Sequence, residues 1–187
     1  GYLSLVEIDA IFSKTRNGGY KTDIRFWGEV GLEGEWETRP IRLYTRNTFS
    51  GTFEYFRKRA LFKGEYKDSI QMQPDSEAVV MKVINDPAGI GFSGIGYDNK
   101  QVKTLALSER PGEPAYSANH ENVYLNRYPL SRPLYIYVVK TIEHPVSELL
   151  REFIAFVLSS DGQQITLDIG YMPLSAKVAE RQFDLIR

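Results

Sequence analysis

No cysteine occurs among the 187 residues, which excludes disulfides, thiol nucleophiles and cysteine-ligated metal. Histidine is nearly as scarce. His120 and His144 stand far apart in stretches that read as loops, so neither a histidine-rich metal site nor a metal or other cofactor is expected. Positive charge is not in excess, since 23 lysines and arginines face 24 acidic residues for a net charge of -1, and there is no global field to gather a nucleic acid. The longest apolar runs are too short to cross a bilayer, and no charged-then-apolar leader opens the chain, so direct membrane insertion is not expected. Repeats and low-complexity tracts are missing as well. What is present is a globular composition, 42% apolar and 25% charged, in a chain long enough for one large domain or two smaller lobes.

The elements alternate between helix and strand. Ser4 and Glu7 have the spacing of a capping box, with Leu5, Ile8, Ile11 and Phe12 as the buried face of the helix that follows. Asn17-Gly18-Gly19 marks a turn, and a loop with Trp27 and Trp36 comes next. Pro40-Ile41-Arg42-Leu43-Tyr44 reads as a short strand, and the chain after Ser50 as a helix with Phe53, Phe56 and Ala60 inward, closed by Leu61 and Phe62. Ser69-Ile70-Gln71-Met72 is a strand candidate. Pro74-Asp75-Ser76 opens a helix whose core side is Val79, Val80, Val83 and Ile84, stopped by Asn85-Asp86-Pro87. Gly89, Gly91 and Gly94 formally fit the G-x-G-x-x-G dinucleotide pattern, but a helix precedes them and a strand runs through them, so that match is rejected. These glycines instead predict close approach of another backbone or of a ligand. Residues 102–107 give a further strand. The polar residues 108–127 read as a crossing region. Leu134-Tyr135-Ile136-Tyr137-Val138-Val139 is the strongest strand pattern of all, followed by a helix over 146–158 with Leu149, Leu150, Phe153, Ile154 and Val157 inward, and by helices from about 160 and 176.

The segment Arg46-Asn47-Thr48-Phe49-Ser50-Gly51-Thr52 carries the most chemistry. Ser50 falls at the N-cap of a helix whose first backbone N–H groups have no partner within it, at the positive end of the dipole. An oxyanion can be held there by main chain alone. Gly51 lets an oxygen approach the backbone, and Arg46 brings a forked, permanently charged donor. An ordinary capping serine beside a surface arginine gives the same pattern. Arg57-Lys58-Arg59 reads as a solvated helix face, and rings such as Phe53, Phe56, Phe153 and Phe156 as core.

Over nearly its whole length the chain resembles the phosphate-binding proteins of bacterial ABC-type uptake systems, of the type II periplasmic binding fold. The matching residues are 6–13 followed by Trp27, Arg46 through Thr52, Ile90-Gly91-Phe92-Ser93-Gly94-Ile95-Gly96-Tyr97, Tyr128-Pro129-Leu130, and 153–159 through Gly162-Gln163 to Gly170-Tyr171-Met172-Pro173-Leu174. The resemblance implies an α/β fold with one complete lobe over 1–107 built on a mixed sheet, a crossing or hinge region over 108–127, and the returning C-terminal part of the other lobe over 128–187. It implies phosphate contacts from Arg46, Ser50, Gly51 and Thr52, inorganic phosphate and ABC-transporter membrane subunits as partners, a periplasmic or extracellular location, and no catalytic residue. Family members begin with a further stretch that supplies more ligands and an acidic acceptor, and this chain matches from after it. A second copy completing that lobe is one expectation, as is weak affinity for the chain alone. A related sensor or surface module with weak anion binding is the alternative. A hydrolase using the same cradle ranks last, because Ser50 has no histidine nearby to serve as its base.

Overall fold

The first helix forms as its capping box predicts. In the computed structural model, which describes residues 1–143 and 145–185, Ser4 Oγ accepts from Glu7 N at 3.2 Å and the Glu7 carboxylate accepts from Ser4 N at 2.8 Å. The helix, α1 (Leu5–Phe12), follows strand β1 (Tyr2–Ser4) and buries Leu5, Ile8, Ala10, Ile11 and Phe12. Asp9 on the same helix is buried too, accepting from Gly18 N at 2.6 Å, and burial pushes its carboxyl above the usual range.

Three strands make the central sheet: β2 (Arg42–Arg46), β3 (Gln71–Gln73) and β4 (Gly89–Gly91), in the order β3-β2-β4. Helices α2 (Gly51–Arg59) and α3 (Ser76–Ile84) lie between them in sequence. A helical crossover returns the chain in its original direction, so both pairings of β2 are parallel, with Tyr44 opposite Gln71 and Gly91. β1 pairs in parallel with β5 (Ala106–Ser108). Among the described residues the sheets are therefore parallel rather than mixed, and antiparallel contacts are confined to isolated bridges such as Leu107 with Tyr116.

The two faces of β2 differ. Leu43 joins the main core with Leu5, Ile11, Phe12, Phe56 and Ile90, where the rings of Phe56 and Phe92 stack at 3.7 Å. Tyr44 lies on the side covered by α3. A Cβ on Gly91 would stand 2.9 Å from Val79 and 3.0 Å from the Tyr44 carbonyl, and one on Gly89 would stand 2.9 Å from the Tyr44 ring. These glycines therefore admit close packing of helix and strand, as expected. At the start of β2, Arg42 Nε and Nη2 grip the Asp86 carboxylate, each at 2.5 Å, and Tyr44 Oη donates to it at 2.8 Å.

The chain divides into two units, Gly1–Ser131 and Arg132–Arg187. In the first, the polar stretch expected to be plain crossing chain contains a short helix, α4 (His120–Tyr124), capped by Asn119, so His120 begins a helix instead of lying in a loop. The loop expected at His144 falls outside the described residues. In the second unit α5 (Glu148–Leu158), α6 (Ser160–Asp168) and α7 (Ala176–Asp184) start where the spacing predicts. Residues 134–139 form no strand: no described strand pairs with them, and Tyr137 is 89% exposed. Without a ladder partner, alternating apolar residues have no sheet to build, whatever their propensity. Of the predicted inward face of α5, Ile154 is buried and Leu150 and Val157 are half-buried, but Leu149 and Phe153 are exposed, as is Phe156, expected in the core.

Candidate anion site

Arg46 is the last residue of β2 rather than part of the loop after it, and it stands at the carboxyl end of the central parallel strand. That end of an open α/β sheet is where crevices for ligands form. The next residues are pinned locally. Asn47 N donates to Gln73 O at 3.2 Å, Asn47 Oδ1 accepts from Phe49 N, and Asn47 O accepts from Ser50 N. These bonds tie the loop to the end of β3 and deliver Ser50 to the start of α2.

Ser50 is the N-cap, as its residue type predicts, and it is buried. Its Oγ accepts from Thr52 N at 3.2 Å, and its carbonyl accepts from Glu54 N. Among the described residues no hydrogen bond takes up the Gly51 N–H, and no atom lies within 4 Å of where a Gly51 Cβ would be. Glu54, the acid in the first turn, is held to about 2 by Arg57 and then Lys58, so its charge is spent on its own helix.

Arg46 connects this helix start to a second one. Its Nη1 donates to Ser76 Oγ at 2.9 Å, and Ser76 is the buried first residue of α3, whose N-cap is Asp75. Arg46 Nε is buried without a partner among the described residues. A guanidinium N–H shut away from water and left unpaired costs free energy unless an acceptor reaches it. The geometry therefore offers one charged donor edge and one open backbone N–H, with the hydroxyls of Ser50 and Thr52 close by in the chain. Such a set has the donors that an oxyanion requires, and among the described residues no base is hydrogen-bonded to the Ser50 hydroxyl. Two surface hollows lie away from these residues, one lined by Phe26, Gly28, Glu29, Glu37 and Thr38, another by residues of α5, α6 and α7.

Ser76 was not legible as part of this site. Asp75 and Ser76 are adjacent and both cap-competent, and nothing in the sequence says which hydroxyl or carboxylate the cap leaves over.

Comparison with known proteins agrees with the fold and the resemblance. The phosphate-binding protein PstS of Pseudomonas aeruginosa is 45% identical over 179 residues, covering 96% of this chain and 55% of its own length. A Clostridium perfringens structure with bound phosphate, described as a phosphate ABC transporter substrate-binding protein, superposes with a TM-score of 0.70 at 25% identity, over 92% of this chain and 63% of that one. A phosphate-binding protein candidate from Planctomyces limnophilus shares the fold, with a TM-score of 0.71 at 24% identity, over all of this chain and 65% of its own. The chain spans about half the length of the curated relatives it matches. Residues 3–161 match the family model described as the PBP superfamily domain, and the chain belongs to that family.

Proposed function

We propose that this chain contributes the anion cradle of a solute-binding protein that captures inorganic phosphate for an ABC transporter. The observation that carries the reading is the buried Nε of Arg46, without a partner among the described residues, next in sequence to a loop that leads into a helix start whose Gly51 N–H is likewise unbonded among them. Arg46 supplies the charged fork and Gly51 a backbone donor. Ser50 Oγ accepts from Thr52 N, which leaves its own proton available to donate to an anion, and Thr52 adds its hydroxyl. The relative named as phosphate-binding and the phosphate held by the Clostridium perfringens neighbour support phosphate as the ligand. Capture and release involve no reaction of the ligand. The transporter's membrane subunits are the partner, and the periplasm or the extracellular face is where such capture is useful.

Four charge-assisted hydrogen bonds of roughly 1.5 to 3 kcal/mol each, set against an association cost of about 4 kcal/mol, leave roughly 2 to 8 kcal/mol, a Kd between about tens of millimolar and a micromolar. Calorimetric titration of the chain with inorganic phosphate is expected to fall in that window, and Arg46→Ala to weaken binding by about tenfold or more. Equal binding by Arg46→Ala rejects the cradle.

A further inference from the structure

A guanidinium has more than one edge that an anion can use. Arg42 shows the side-on mode in this chain: its Nε and Nη2 take the two oxygens of Asp86. In Arg46 the same edge is left over, because Nη1, the in-plane nitrogen that does not belong to that edge, is engaged by Ser76 Oγ at 2.9 Å while Nε is buried without a partner among the described residues. Ser76 is 4% exposed, and its hydroxyl has no other partner among the described residues. The N-cap bond of α3 is made by Asp75, whose Oδ1 accepts from Ala78 N at 2.7 Å, so the Ser76 hydroxyl is not needed to start the helix. The Ser76 carbonyl accepts from Ser93 Oγ at 3.5 Å.

We propose that Ser76 is a positioning residue of the anion site: by taking Arg46 Nη1 it turns the Nε and Nη2 edge toward the ligand. The inference rests on the phosphate reading and deepens it. A long arginine side chain loses rotamer freedom when it binds, and a fixed neighbour that holds it beforehand removes part of that cost. The serine acts through the arginine, and its effect on affinity is the difference between a pre-aimed fork and a rotating one.

The test titrates inorganic phosphate into the full chain and into Ser76→Ala, Ser76→Thr and Arg46→Ala, with thermal unfolding of each and arginine side-chain 15N–1H spectra. Ser76→Ala is expected to weaken phosphate binding about three- to tenfold at an unchanged Tm, with Ser76→Thr restoring most of it. In the spectra, the Arg46 Nη protons, held by the serine in the parent, are expected to average by rotation in Ser76→Ala. That readout does not depend on measurable affinity. Parent-like binding by Ser76→Ala alongside loss in Arg46→Ala overturns the role of Ser76 and leaves the phosphate reading standing. Parent-like binding by Arg46→Ala overturns the reading itself. Equal weakening in Ser76→Ala and Ser76→Thr, a Tm loss that accompanies the weakening, or an unchanged Arg46 spectrum in Ser76→Ala each overturns the proposal.

Discussion

Gly51 separates fold from function at a single position. Its φ is not in the left-handed region and no atom lies within 4 Å of where a Cβ would stand, so an alanine there meets neither strain nor neighbours. At such a position Gly→Ala stabilises by about 0.4 to 1 kcal/mol, by restricting the unfolded chain. The same methyl would cover the approach to the Gly51 N–H. Gly51→Ala is therefore expected to keep or raise the Tm while phosphate binding falls about tenfold, by loss of a charge-assisted hydrogen bond; undiminished binding would remove Gly51 from the site. The cap at Ser50 could be read directly from the sequence, because a serine just before an apolar-periodic run has a local chemistry that suits a helix start. Ser76 could not, because its partner lies thirty residues away and the serine next to a capping aspartate looks redundant until the fold joins them.

At the scale of the element, β2 is fastened at both ends by arginines of opposite use. Arg46 at the carboxyl end has no partner for its Nε among the described residues, whereas Arg42 at the start is spent on Asp86, together with the Tyr44 hydroxyl and Ala88 N. The Arg42 guanidinium, and after burial the Tyr44 hydroxyl, set the Asp86 carboxyl, with the net effect of holding it below the usual aspartate range. A lowered folded pKa gives stability that is complete above the unfolded value and is lost as pH falls through the folded one. Asp9 acts in the opposite sense, because burial raises its carboxyl and the associated stability fades as pH rises through the raised value. Comparing parent and Asp86→Asn isolates the first effect. Asp86→Asn is expected to cost about 1 to 3 kcal/mol at pH 7, and the gap to narrow as pH drops below the ordinary aspartate range; a gap independent of pH in denaturant unfolding would show that the clamp is not electrostatic. β2 was legible because its apolar residues, Leu43 and Tyr44, sit in a sheet with a neighbour on each side. Residues 134–139 carry a stronger strand pattern and form none, since β propensity expresses fit to a half-buried pleated surface and no described strand provides one.

For the whole molecule, burial and chemistry both concentrate in the first unit. The core cluster runs from Leu3 to Leu107, with Tyr128 and Leu130 packed against it, and Arg46, Ser50, Gly51, Thr52 and Ser76 all lie within Gly1–Ser131. In the second unit the buried apolar side chains among the described residues are Val146, Ile154 and Ala179, while Leu134, Ile136, Tyr137, Val139, Leu149 and Phe153 are exposed. Apolar burial is the dominant favourable term in folding, and the entropy of ordering some fifty residues is of order 50 to 100 kcal/mol, so three small or medium buried side chains do not sustain a cooperative unit. A chain of residues 1–131 is therefore expected to unfold in one cooperative transition, with a Tm within a few degrees of the full chain, and to bind inorganic phosphate within about twofold of it. Residues 132–187 alone are expected to melt without a cooperative transition in far-UV circular dichroism. A sharp transition in that fragment would show that its three helices form a core of their own. Loss of phosphate binding from residues 1–131, with their cooperative fold intact, would place part of the site in the second unit and break the link between core and cradle drawn from the sheet outward.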